Sequence, residues 1–145
     1  MDLLQGVILS PLKIIQHPKG NVLHALKQSD GNFQTFGEAY FSTIAKGEIK
    51  GWKKHRLMTL NLIVPVGAIK FVLFDGRDES STSNQFSEII LSATDNYCRL
   101  TVPPLVWVAF QGVDDQLNLL LNIANIEHNP QEADNRPLEQ IVYKW

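Results

Sequence analysis

Turn signals recur along the chain at short intervals: HPKGN at 17–21, SDGN at 29–32, VPVG at 64–67, FDGRDESSTSN at 74–84, VPP at 102–104 and GVDD at 112–115. Between them lie short segments rich in Val, Ile, Leu, Phe and Trp: GVILSPLKII, NVLHAL, EAYFSTI, the run 57–74, YCRLTV, VWVAFQG and LNLLLNIANI. The pattern predicts an all-β fold built as a sandwich, jelly roll or small barrel. Two places invite a helix. NQFSEIILS at 84–92 has room for about two turns, although it carries the strand formers Ile89 and Ile90. PQEADNRPLEQI at 130–141 is polar and bounded by proline, and reads as a surface excursion before a closing strand or tail.

No internal repeat or linker-like tract divides the 145 residues, so residues 1–145 are expected to form a single domain with one core. Apolar residues make up 44%, and no apolar run approaches the length that crosses a bilayer. MDLLQGVILSPLK lacks the basic start and small-residue cleavage site of a signal peptide. The single cysteine, Cys98, cannot form an internal disulfide, and in YCRLTV it reads as a buried structural thiol. A soluble, cytoplasmic protein is the expectation.

The net charge of −2 conceals an asymmetry. Five of the thirteen Lys and Arg fall within residues 46–56 (Lys46, Lys50, Lys53, Lys54 and Arg56), against one acid, Glu48. A small cationic spot on an acidic body suits a compact anion such as a phosphate better than a nucleic acid, which needs a broad basic face. Period-2 alternation puts Gly51, Lys53, His55, Leu57, Thr59, Asn61 and Ile63 on one face and Lys50, Trp52, Lys54, Arg56, Met58, Leu60, Leu62 and Val64 on the other. If the first face points into a barrel, Lys53, His55, Thr59 and Asn61 line a pocket with Lys50 and Arg56 at its rim. The competing reading is a solvent-facing edge strand protected by lysines.

Three blocks carry a family resemblance: EIKGWKKHRLMTLNLIVPVGAIKFVLFDGR, YCRLTVPPLVWVAFQG and LLLNIANIEHNPQEADNRPLEQIVYKW. They resemble the cupin-fold dTDP-4-dehydrorhamnose 3,5-epimerases and related keto-isomerases of nucleotide-linked sugars. The first block is similar to the segment in which an Arg-Gly-Leu-His signature leads through a Gly turn to Asp-x-Arg; the last has the outline of the closing strand, acidic loop and terminal Trp. The resemblance implies a cupin jelly-roll barrel that pairs as a homodimer by exchanging an N-terminal strand, binds a nucleotide sugar and uses no cofactor. It also implies proton abstraction next to a C4 keto group in polysaccharide or deoxysugar biosynthesis.

In that family a signature His is the base and a Tyr across the pocket the acid. Without gaps, Lys50 and Gly51 match Arg-Gly, Lys53 falls at the base position, and His55 lies one inward-facing position further on. Leu121 falls near the acid Tyr and Val108 at the second block's His, so most of the usual set is replaced. The keto-isomerases carry a His-x-His pair that here reads Lys53-x-His55. The resemblance thus implies His55 as base, Lys53 as enolate stabiliser or second base, and Tyr40 as the available acid. For Lys53 the favoured reading is a phosphate or solvent contact without proton transfer.

Glu38 and Tyr40 share a strand face in the region where the family places sugar contacts. Trp107 and Phe110 would form a stacking wall, with Trp52 able to serve likewise, or would pack in the core. Asn118 and Asn122 offer amides suited to sugar hydroxyls if they point inward. The substrate-binding set is therefore Lys50, Arg56, Glu38, Asn61, Trp107 and Asn122. The histidines His17, His24 and His128 are scattered, and residues 51–62 supply one His and no acid, so no metal site is expected. The alternative function is a catalytically inactive cupin that binds a nucleotide sugar or glycan, or scaffolds a partner enzyme.

Overall fold

The structure is a computed structural model that describes residues 2–145. The strands are β1 (Ile8–Pro11), β2 (Ile14–Ile15), β3 (Val22–Leu23), β4 (Glu38–Thr43), β5 (Ile49–His55), β6 (Leu60–Val66), β7 (Ala68–Asp75), β8 (Phe86–Ser92), β9 (Cys98–Val102), β10 (Val106–Gly112), β11 (Leu119–Ala124) and β12 (Ala133–Asn135). The only helical pieces among the described residues are the short 3-10 turns Pro130–Glu132 and Leu138–Gln140. At 84–92 the β-branched pair wins over the helical spacing: β8 alternates, with Ser87, Ile89 and Leu91 buried and Ile90 exposed. The segment 130–141 is the expected surface excursion, but it also contributes β12 to a sheet.

Every strand pairing is antiparallel. One sheet has the order β1-β9-β6-β11-β4 and the other β12-β5-β10-β7-β8, while β2 and β3 form a small hairpin. Leu62 and Val64 of β6 and Leu100 of β9 meet Phe71 and Leu73 of β7 and Val106 and Val108 of β10 in the main core between the sheets. This is the cupin jelly roll that the turn spacing and the family resemblance lead one to expect.

Two irregularities decide which side chains face the interior. In β5, Lys53 pairs with Val108 and Lys50 with Phe110, so Gly51 and Trp52 together oppose Ala109 in a β-bulge. Both bulged residues turn to the back of the sheet. Trp52 packs with Ala109, Trp107, Val72 and Ile141, and a Cβ on Gly51 would lie 2.2 Å from Leu138 Cδ2 and 3.3 Å from Ala109 Cβ. The extra residue returns Lys50 to the interior face with Lys53, where strict alternation separated them. Residues 56–59 then leave the strand, so the phase of β5 does not carry into β6.

A second layer covers the back of β5. Residues 136–145 fold across it, with Trp52 Nε1 donating to Ile141 O at 3.1 Å and Leu138, Tyr143 and Trp145 packing against the Trp52 cluster.

Candidate active site

A cavity of about 370 Å³ opens between the two sheets, within the size range of small-molecule sites. Lys50, Lys53 and His55 project along the β5 wall, and Tyr40, Ser42 and Asn122 face them from β4 and β11. Phe71, Phe110 and leucines of β6 and β11 supply the apolar surface, so the polar groups sit on an otherwise greasy lining.

His55 is 6% exposed and Glu132 5% exposed. The pairing of Ala133 with His55 brings the 3-10 turn Pro130–Glu132 beside the end of β5. Asn129 caps that turn by accepting from Gln131 N at 3.0 Å. Glu132 Oε1 hydrogen-bonds His55 Nδ1, while Oε2 accepts the backbone N–H groups of Arg56 (3.2 Å), Leu57 (3.1 Å) and Met58 (3.2 Å). Burial pushes the carboxyl upward, but His55 and the Leu57 and Met58 amides outweigh it and hold Glu132 below the usual glutamate range. An ionised carboxylate only accepts, so Nδ1 of His55 carries the proton and donates it. In the neutral imidazole this leaves the lone pair on Nε2, the tautomer a general base requires.

The cationic run divides between two tasks. Lys50 and Lys53 line the cavity; Lys50 Nζ donates to Thr43 O at 2.7 Å and lies 5.9 Å from the Phe110 ring centre, whereas Lys53 has no carboxylate partner among the described residues. Lys54 and Arg56 turn to Asp134 at 3.6 and 2.6 Å, and Arg56 also donates to Gln131 O at 3.2 Å. Arg56, expected at the rim, thus clamps the Glu132 turn instead. Its guanidinium holds the Asp134 carboxyl below the usual range.

Across the cavity, Asn122 Nδ2 donates to Tyr40 Oη at 3.0 Å and Asn122 Oδ1 accepts Asn61 N–H at 3.1 Å. Three further residues expected to contact substrate are placed elsewhere. Asn61 faces the opposite side of its sheet, where its amide donates to Ile123 O and accepts from Thr101 Oγ1, because the break at 56–59 reset the alternation. Trp107 is 3% exposed in the back layer, its ring lying under Lys54 (5.0 Å) and Arg136 (4.7 Å). Glu38 shares the face of Tyr40 but pairs with Ala124, one step beyond the cavity lining. Asn118 is committed to the fold: it accepts from Ala68 N and Asp114 N and donates to Ile44 O and Asp114 O.

Sequence reasoning missed Glu132, which lies 77 residues from His55 in a stretch that reads as polar loop. The legible signal was the Asn-Pro start of a capped turn, which marks local structure there without saying what it packs against. Among the described residues, no three His, Cys, Asp or Glu side chains are grouped to hold a metal ion.

No family model matches the chain. The crystal structure of a dTDP sugar isomerase from Desulfovibrio desulfuricans G20 matches it at 39% identity and a TM-score of 0.95, covering 100% of this chain and 95% of that one. The chain belongs to the dTDP-sugar isomerase family. The fold of this family extends to more distant structures. A dTDP-6-deoxy-D-glucose-3,5-epimerase from Legionella pneumophila, in complex with dTDP-4-keto-L-rhamnose, has 18% identity and a TM-score of 0.83 over 96% of this chain and 78% of that one. Among curated proteins, the spore coat polysaccharide biosynthesis protein SpsL of Bacillus subtilis is 21% identical over 99% of this chain and 97% of its own length. No helix among the described residues of this dTDP-sugar isomerase family member is long and apolar enough to cross a membrane.

Proposed function

We propose that this chain isomerises a nucleotide-linked 4-keto sugar for polysaccharide or deoxysugar biosynthesis, in the manner of the dTDP-4-dehydrorhamnose 3,5-epimerases, by removing the proton beside the keto group. The observation that carries the reading is the His55–Glu132 pair in the wall of the cavity between the sheets, with Lys53 and Tyr40 lining the same cavity. His55 Nε2 takes the carbon-bound proton, and the electron pair of that bond moves into the carbonyl to give an enolate. Lys53 is the ammonium available to stabilise the enolate oxygen. Tyr40, on the facing sheet, delivers a proton to carbon from the other side, and the enolate collapses to the inverted ketone. Only a proton and an electron pair move, so the chemistry needs no cofactor. Lys50, exposed at one end of the cavity and fixed by Thr43 O, supplies positive charge for the diphosphate.

The fold match to a Legionella epimerase holding dTDP-4-keto-L-rhamnose and the 39% identity to a dTDP sugar isomerase support the substrate class. The enzyme is read as a single-domain cytoplasmic homodimer, in which the exposed Phe41 of the edge strand β4 and Phe36 just before it would be covered by the second copy.

Incubating the protein with dTDP-4-keto-6-deoxyhexoses in deuterated buffer and following C3 and C5 by NMR tests the reading. Deuterium is expected at one or both carbons; none across the series refutes the enzyme. A His55→Ala variant is expected to lose about 10²-fold or more of the exchange rate, and full retention would remove His55 as base.

A further inference from the structure

Asn122 has both ends of its amide engaged. Its Oδ1 receives the backbone N–H of Asn61, a group that can only donate, so the amide cannot be turned over without placing two donors against each other. Nδ2 is therefore the atom that meets Tyr40 Oη. Asn122 is 2% exposed, and its anchor is itself fixed: the Asn61 amide bonds Ile123 O at 3.1 Å and Thr101 Oγ1 at 2.9 Å. The Thr101 hydroxyl in turn accepts from Asn32 Nδ2 at 3.2 Å. A chain of hydrogen bonds thus runs from the half-buried Asn32 on the outer side of the sheet through β6 to the cavity.

The phenol of Tyr40 feels the end of that chain. A phenolic O–H lies near the ring plane and has two favoured directions; a donor occupying one leaves the proton in the other. We propose that Asn122 is a positioning residue that obliges Tyr40 Oη to accept, so that the Tyr40 proton is presented to a substrate in the cavity and not spent on the protein. This rests on the reading of Tyr40 as the acid, and it replaces the expectation that Asn122 binds sugar directly. The other two tyrosines show the opposite state: Tyr97 Oη donates to His24 O at 2.8 Å and Tyr143 Oη donates to Glu88.

Replacing Asn122→Asp inverts the arrangement with little change of shape. One carboxylate oxygen still accepts Asn61 N–H, and the other now accepts the Tyr40 proton. Protein labelled with carbon-13 at tyrosine Cζ reads this without substrate, since that carbon responds to whether the phenol accepts or donates. Tyr97 and Tyr143 provide donor references in the same spectrum, and Tyr40→Phe assigns the third signal. In Asn122→Asp the Tyr40 resonance is expected to move downfield, and turnover to fall about 10²-fold in kcat with less than about a threefold change in KM. Asn122→Ala, which removes the donor without adding an acceptor, is expected to shift the same resonance less and to cost less than about tenfold in kcat. It also serves if the aspartate variant does not fold.

An unmoved Tyr40 resonance in the folded variants overturns the proposal. So does a rise in KM at constant kcat, the result for a sugar-binding amide. Because the NMR measurement needs no activity, a protein that fails the deuterium test but shows the expected Cζ shift refutes the isomerase and leaves the Asn122–Tyr40 orientation standing.

Discussion

Glu132 accepts from His55 Nδ1 at Oε1, the arrangement that the proposed role of His55 as base requires, and three backbone amides hold it in place at Oε2. A Glu132→Gln substitution separates the two tasks. The glutamine oxygen can still take the amides, but its NH₂ would donate to His55 Nδ1, move the ring proton to Nε2 and leave no lone pair towards the cavity. Carbon-bound proton exchange is expected to drop by about 10²–10⁴-fold with the fold intact, and nitrogen-15 NMR of the imidazole should report the changed tautomer. The same carboxylate contributes to stability with a definite sign. Its folded pKa is depressed below the ordinary value of 4.5, so the contribution is fully present above that value and is lost as pH falls through the lower folded one. Urea unfolding between pH 6 and 3 should show a steeper acid decline for the parent than for Glu132→Gln. None of this was visible in sequence, because His55 and its partner are joined by strand pairing between β5 and β12 and by no local pattern.

At the scale of the element, β5 is a strand whose bulge sorts its cations. Alternation correctly assigned Lys53 and His55 to one face, since both lie on the same side of the bulge. It misplaced Lys50, because an inserted residue leaves no mark in a period-2 pattern. It misplaced Asn61 for a related reason: four residues outside any strand separate β5 from β6, and a run of apolar letters does not reveal the interruption. The all-β class was legible because turn residues and β-branched segments act locally, whereas a bulge and a reset of phase are settled by the neighbouring strand. Gly51 is where the bulge meets the C-terminal layer. Gly51→Ala places a methyl against Leu138 Cδ2, the end of a side chain that can shift, and is expected to cost about 1 kcal/mol in denaturant unfolding. Adding Leu138→Ala should recover part of that penalty, and a double-mutant cycle with no coupling would contradict the close approach as its cause.

For the molecule as a whole, residues 136–145 tie the back of β5 to the rest of the sheet, and all three tryptophans, Trp52, Trp107 and Trp145, lie in that layer. The turn bearing Glu132 leads directly into it, and Arg136 stacks on Trp107 while exchanging backbone hydrogen bonds with Trp52 at 3.1 and 3.0 Å. Support for the His55–Glu132 pair therefore passes through the C-terminal layer. Tyr143 offers a way to loosen it. Burial first, and then the hydrogen bond to Glu88 and its charge, raise this phenol from 10.0 to about 12. A raised pKa favours the protonated form in the fold, so the stabilisation is fully present below pH 10 and disappears as pH climbs towards 12. Tryptophan fluorescence, which here samples this layer, should change over that window before far-UV circular dichroism reports loss of the strands. Tyr143→Phe should lose about 1 kcal/mol of stability at neutral pH and lack the alkaline fluorescence step. If the step persists in Tyr143→Phe, another group holds the layer, and the link from Tyr143 through the C-terminal layer to His55 fails with it.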